Sequence, residues 1–381
     1  MKFKAYVIIF LLFGVATDLC LSCVILENLT TAWKLILCLP TLATLACLVL
    51  IAACIRYSDA VRAYSWLIFL FELPKSVLAL LAVIGRYVLG IATPVADGIA
   101  LGAACAVALF FAILIFFVTR NLKVNTLDLS FENLPATFEG LRICQLTDFH
   151  LGSFGRKSRY VQRVIDTTAT FQPDLILFTG DLVNFETDEA VPYKGLLSRL
   201  SAPLGVFSIR GNHDYLLHGH HNEQQRRQDM DRLSELETSL GWRLLRNEHE
   251  LLRRGGESLA VVGVDNISAN PFFNKAGGDF AQAIKGLSRK MFKILLSHDP
   301  SHWRKEVVPE GSVALTLSGH THGLRYKMAG RHVSHWHLPE SAGTYTEKNQ
   351  VLHVSKGLGS AFAFRMGGCP NIDLITLHRN N

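Results

Sequence analysis

The chain has 381 residues, 49% hydrophobic and 18% charged; this is too apolar for an ordinary water-soluble protein and long enough for more than one folding unit. The excess is concentrated: Met1–Val118 carries 7 Lys/Arg and 5 Asp/Glu, against 31 and 27 in the remainder. The net charge of +6 is small, and the basic groups (Arg156, Lys157 and Arg159; Arg226 and Arg227) are short, which argues against long nucleic acid as a partner.

Four apolar segments open the chain: Ala5–Ile25, Trp33–Ile55, Tyr64–Leu89 and Ile99–Val118. Each is close to the ~20 residues that cross a bilayer as a helix, so 1–120 is expected to be a bundle of about four transmembrane helices. The third is interrupted by Glu72, Pro74 and Lys75; the two charges, three apart, can pair on one helix face. Lys2, Lys4, Arg56, Arg62, Arg120 and Lys123 fall on one side of this arrangement, and Lys34 and Arg86 on the other. The positive-inside rule then puts the N-terminus and the large C-terminal region on the cytoplasmic side, an orientation that depends on the third segment crossing. Six of the eight cysteines lie in the apolar third, where they read as small hydrophobes rather than a disulfide framework.

From residue 121 onward, short apolar runs alternate with helical patterns. Leu141–Leu146, Asp174–Phe178, Gly205–Ile209, Leu259–Val264, Phe292–Leu296, Val313–Leu317, Val351–Val354 and Ile372–Leu377 read as strands. Ser158–Phe171 and Asn222–Ser239 read as helices. The pattern predicts an α/β domain over 121–381 with sheets faced by helices.

The residues just past these apolar runs are unusual. The run ending at Leu146 leads to Asp148 and His150, and the next to Gly180-Asp181. Gly205–Ile209 leads to Gly211-Asn212-His213-Asp214; later runs lead to His298 and to Gly319-His320-Thr321-His322. Taken singly, each is ordinary turn chemistry or a satisfied polar group. Five together, each past a strand end where α/β folds keep their sites, point to a metal centre.

This ordered set, Asp-x-His, Gly-Asp, Gly-Asn-His, a lone His and Gly-His-x-His, resembles the signature of the calcineurin-like metallophosphoesterases. The resemblance implies a four-layer α/β/β/α sandwich and a two-metal phosphoesterase. It implies Asp148, His150 and His322 on one ion, Asn212, His298 and His320 on the other, and Asp181 bridging them. It further implies attack on a phosphodiester or pyrophosphate by a hydroxide that such ions would hold. His213 stands by the leaving group, and Asp214 is expected to accept its hydrogen bond and fix its tautomer. Imidazole and oxygen ligands suit Mn, Fe, Zn or Co. Arg365, in a tail resembling the family's closing segment, is a candidate phosphate contact, and the site departs from close relatives at Leu324-Arg325. Two further histidine groups, His218, His220 and His221, and His332, His335 and His337, read as rim or loop residues.

Several apolar spans suggest a lipid-linked substrate; some relatives cleave UDP-2,3-diacylglucosamine, although one branch of those has arginine where His213 follows Asn212. The alternatives are a broad nucleotide or nucleic-acid phosphodiesterase and a non-catalytic membrane receptor or scaffold.

Overall fold

A computed structural model describes all residues except 1–13, 26–29, 218–221, 272, 274–276, 324–326, 329–330, 333–338, 362–363, 366–367 and 381. The chain divides into two compact units: Met1–Phe117 with Phe362–Phe364, and Val118–Ala361 with Arg365–Asn381.

In the first unit, three described helices are long and apolar enough to cross a membrane: Lys34–Ala52, Tyr57–Val88 and Thr93–Arg120. Of the first expected span residues 14–25 are described, and their apolar helix, Gly14–Cys23, is shorter than a crossing helix; Lys2 and Lys4 lie outside the described residues. The segment interrupted in sequence at Glu72, Pro74 and Lys75 is one continuous helix, Tyr57–Val88, on which Lys75 Nζ lies 3.2 Å from Glu72 Oε1, the pairing expected from their spacing. Pro74 has no N–H for the Leu70 carbonyl, and a π turn at Ile68–Glu72 falls where that bond is missing. All eight cysteines are free.

The second unit contains two six-stranded sheets. The strands are β1 (Lys123–Phe131), β2 (Leu141–Leu146), β3 (Leu175–Phe178), β4 (Val206–Ser208), β5 (Arg243–Leu244), β6 (Glu248–Arg254), β7 (Glu257–Gly263), β8 (Lys293–Leu296), β9 (Leu315–Ser318), β10 (Lys327–Met328), β11 (Arg331–His332), β12 (Gly343–Glu347), β13 (Gln350–Val354) and β14 (Asn371–Arg379). One sheet has the order β1-β14-β2-β3-β4-β5 and the other β12-β13-β9-β8-β7-β6; β10 and β11 form a separate ribbon. The pairs β2/β3, β3/β4, β7/β8, β8/β9 and β9/β13 are parallel, so their C-terminal ends share an edge within each sheet.

Alternation along the strands builds three cores. Ile143, Leu175, Leu177, Val261, Ile294, Leu296, Leu315 and Leu317 share one cluster that draws on both sheets. Cys144, Leu146, Ile176 and Phe178, on the other face of the first sheet, pack with Val161, Val164 and Ile165 of the helix Arg159–Thr170 and with Leu233 and Leu236 of the helix Glu223–Ser239. Ser158 and Asn222 cap these helices through side-chain oxygens. Ala260, Val262 and Leu295 turn to Phe280, Trp303 and Val307 on the outer face of the second sheet.

Candidate metal centre

Five strand ends deliver the polar residues. After β2 come Asp148 and His150; after β3, Asp181; after β4, Asn212 and His213; after β8, His298; after β9, His320 and His322. The backbone at these points is bent hard. Asp148, His150, Asp181, His320 and His322 all have positive φ, between 48° and 69°. This left-handed region costs an ordinary residue roughly 1–2 kcal/mol and is tolerated best by short polar side chains. Such strain collects at sites where the surrounding fold over-determines the geometry. Glycine supplies the clearance: a Cβ on Gly211 would collide with the Asp181 carboxylate, and one on Gly319 with that of Asp148.

The side chains converge in two overlapping groups. Ligand atoms of Asp148, His150 and His322 lie within 4.8 Å of one another, and so do those of Asp181, His298 and His320. Asp181 lies between the groups: its Oδ2 is 3.5 Å from His150 Nε2 and 3.1 Å from His298 Nε2. The His150 and His322 rings are 5.1 Å apart, and those of His298 and His320 are 5.2 Å apart.

Each anchor is set by a second bond. His298 Nδ1 donates to the Thr179 carbonyl (2.7 Å), and His150 Nδ1 faces Asn184 Oδ1 (2.7 Å). These bonds commit both Nδ1 atoms, so each ring presents Nε2 to the carboxylates as the nitrogen a cation would take. Asp148 accepts from the His320 N–H and the Thr147 hydroxyl, and Asp181 from the His213 N–H (2.8 Å).

The donor set fits divalent metal. His150 Nε2, His298 Nε2 and Asn212 Oδ1 are buried without a hydrogen-bond partner, a costly state that a cation would relieve. The carboxylates are correspondingly eager for positive charge. Burial opposes ionisation of Asp148 and Asp181, yet the neighbouring imidazoles hold both below the usual carboxylate range. Burial likewise opposes a charged His298, but Asp181 and Asp148 push it up to about 10.

A family model described as calcineurin-like phosphoesterase matches residues 141–324. The uncharacterized metallophosphoesterase YkuE of Bacillus subtilis is 30% identical over 258 residues, covering 65% of this chain and 82% of that protein. The chain belongs to the calcineurin-like metallophosphoesterases, a family of phosphoric ester hydrolases. The transmembrane protein with metallophosphoesterase domain of Danio rerio is 28% identical over 204 residues, 52% of this chain, and the match spans only 44% of that relative's length. The UDP-2,3-diacylglucosamine pyrophosphatase LpxG of Chlamydia trachomatis is 26% identical over 308 residues, covering 67% of this chain and 88% of that protein.

Two expectations drawn from this metallophosphoesterase pattern need correction. Asp214 does not orient His213. Its carboxylate accepts the N–H groups of Asp181 (2.7 Å), Leu182 (2.9 Å), Val183 (3.2 Å) and Gly211 (2.9 Å), which ties the loop after β3 to the loop after β4. His213 is oriented instead by the Asn184 carbonyl, which accepts from Nδ1 at 3.0 Å. Arg365 is buried, and its guanidinium donates to the carbonyls of Lys356, Gly359 and Gly368. It braces the loop lying on Asp148, where the Gly359 N–H donates to the Asp148 carbonyl (2.6 Å), rather than reaching out to phosphate.

Sequence reading missed Asn184, which holds His150 with its side chain and His213 with its backbone. Its position three residues after Asp181 was the available signal. His213 itself sits within 4.8 Å of His150 and Asp181, and burial pushes its imidazole down to about 4. Leu324, Arg325, His218, His220, His221, His335 and His337 lie outside the described residues, and of His332 only the backbone is described.

Proposed function

We propose that the protein is a membrane-bound two-metal hydrolase of a phosphodiester or pyrophosphate bond, acting on a lipid-linked substrate. The observation that carries this reading is the Asp181 carboxylate lying between two groups of imidazoles whose Nε2 atoms include two with no partner. Asp148, His150 and His322 would hold one divalent ion, Asn212, His298 and His320 the other, with Asp181 shared. When bound, the ions supply positive charge for the phosphoryl oxygens and acidify water enough to attack phosphorus at neutral pH; Mn, Fe, Zn and Co fit the donors.

The protein's own groups do the rest. His213, with Nδ1 committed to the Asn184 carbonyl, keeps Nε2 as the atom that exchanges a proton with the leaving oxygen. Asp214 fixes the two loops so that Asp181 and His213 keep their spacing. The rings of Phe185 and Phe273 lie 6.2 Å and 4.9 Å from those of His213 and His320, apolar groups beside the site that would suit an acyl-bearing or otherwise apolar ester. The pyrophosphatase name of the Chlamydia relative supports the same substrate class. The three cores fit an α/β/β/α sandwich behind this site. Arg56, Arg62, Arg120 and Lys123 support a cytoplasmic catalytic domain, testable by thiol labelling of cysteines placed at Arg120 and Lys34.

The deciding experiment is elemental analysis of detergent-purified protein, with turnover of a soluble diester, a monoester and lipid-linked pyrophosphates beside Asp181→Asn. Preference for the lipid-linked substrate, lost in the variant, is the expected result. Soluble diester turnover without lipid preference would favour a broad phosphodiesterase; metal without any turnover would favour a binding-only domain.

A further inference from the structure

The sequence carries two short basic groups, and the fold treats them differently. Arg226 and Arg227 stand on one helix with Glu223, whose carboxylate accepts from Arg226 Nε (2.8 Å) and Arg227 Nε (2.9 Å). Arg156, Lys157 and Arg159 have no such neighbour. All three are exposed, as is Arg163, one turn further along the helix Arg159–Thr170. Among the described residues no carboxylate forms an ion pair with any of these four. The next acidic residue along the chain, Asp166, is engaged by Arg199 (2.7 Å) and by the Gln162 amide (2.8 Å). The residues outside the described set contain one acidic side chain, Glu27. Exposed arginines elsewhere in this unit do find carboxylates: Arg232 with Asp188, Arg243 with Glu248, Arg289 with Glu310 and Arg304 with Glu340.

Packing brings the unpaired bases to the end of the last apolar helix. That helix, Thr93–Arg120, ends at the exposed Arg120, and Lys123, also exposed, follows. The Arg163 guanidinium donates to the Arg120 carbonyl. Leu122 packs on the same core as Tyr160, Val161 and Val164. Phe154 stacks on Tyr160 at 4.9 Å and so holds Arg156 and Lys157 just ahead of the capping Ser158. The positive-inside rule accounts for Arg120 and Lys123, which adjoin a span. It does not account for Arg156, Lys157, Arg159 and Arg163, which lie beyond β2 and return to this place only through the fold.

Like charges gathered on one surface repel one another, and an anionic partner supplies the missing counter-charge. Position identifies that partner. The end of a membrane-crossing helix stands at the level of the lipid headgroups, so these bases meet phosphate there. We infer that Arg120, Lys123, Arg156, Lys157, Arg159 and Arg163 form a binding surface for anionic phospholipid headgroups. Arginine predominates in the set, and its planar fork matches phosphate oxygens two at a time. The inference does not rest on the substrate assigned to the metal centre.

The test counts lipids retained by the full-length protein in uncharged maltoside micelles, read by native mass spectrometry. The probes are phosphatidylglycerol and phosphatidylcholine with identical acyl chains. Chelator is present throughout, so that metal does not hold a phosphodiester headgroup at the other site. Wild-type protein is expected to retain phosphatidylglycerol at a mole fraction at least about fivefold below that needed for phosphatidylcholine, the worth of one basic residue beside an anionic surface. Neutralising the group together, as Arg156→Gln, Lys157→Gln, Arg159→Gln and Arg163→Gln, should erase that preference, whereas Arg226→Gln with Arg227→Gln should keep it. If the fourfold variant does not fold, Arg156→Gln with Lys157→Gln, both ahead of the helix, must still lower the preference. Equal retention of the two lipids by wild-type protein overturns the inference, as does a preference that survives in the monodisperse fourfold variant. An equal loss in Arg226→Gln with Arg227→Gln would show net charge alone at work and overturns it too. So does displacement of the lipid by inorganic phosphate, which would make the surface a site for the free ion.

Discussion

The two units bury carboxylates in opposite ways. At the metal centre, Asp148 and Asp181 are held by backbone N–H groups and a threonine hydroxyl, on turns forced into left-handed conformations. The facing imidazoles spend their outer nitrogens on Thr179 and Asn184 and keep their inner ones bare. In the membrane unit, Asp18 and Glu72 are held by side chains, chiefly one lysine, and the geometry is relaxed helix. Rigid backbone with unsatisfied nitrogens makes a site that waits for ions of high charge. Flexible side chains around a resident ammonium make one that is nearly satisfied already.

The sharpest way to break this contrast is Asp181→Asn. Removing the shared carboxylate should abolish stoichiometric metal and cost more than the roughly 10²–10⁴-fold of an acid–base group; full metal content by elemental assay would refute the arrangement. His213→Ala should keep the metal and lose about 10²–10⁴-fold in kcat. Lys75→Met should leave two buried carboxylates uncompensated and lower the stability of the membrane unit by about 3–5 kcal/mol, read as a lower denaturation midpoint in mixed micelles. Asn184→Ala should weaken metal affinity by about 10–100-fold, as loss of a partner behind a ligating histidine does, without unfolding the domain.

The smallest effect concerns pH. Glu237 is buried against Ser208, and burial, aided by Asp214, pushes its carboxyl up from 4.5 to about 8. Between those values the folded protein keeps a proton that the unfolded chain releases, so stability falls as pH rises through this window. Glu237→Gln should flatten that slope in thermal melts from pH 5 to pH 8.5 and leave turnover intact. An identical slope in both proteins would show that Glu237 is ionised in the fold.

The parts legible in the sequence were those written in local pattern. Buried strands such as Leu175–Phe178, a continuous apolar run, and Leu141–Leu146, apolar but for Arg142 and Gln145, are followed closely by the metal-type residues. Strands with exposed faces were not legible. β1 alternates polar and apolar residues and pairs only with β14, from the far end of the chain. β6 is apolar only at Leu251-Leu252, between charged ends, and the Gly255-Gly256 turn, both residues at positive φ, betrays its hairpin with β7. The roles of Asp214 and Arg365 were misread because each was assigned by type: a carboxylate beside a histidine, an arginine near phosphate. Their partners are backbone groups distant in sequence, which no spacing rule exposes.

The place of β14 has a consequence for how the protein is made. This strand, Asn371–Arg379, lies between β1 and β2 and, among the described residues, is the only strand paired with β1. During translation β1 therefore emerges 248 residues ahead of its pairing strand, the separation of Lys123 from its partner Asn371. The ribosome must release nearly the whole domain before the first sheet can close, leaving a naked strand edge exposed in the meantime. Chaperone demand and aggregation on overexpression should track that interval, and a circular permutant that supplies β14 first should ease both.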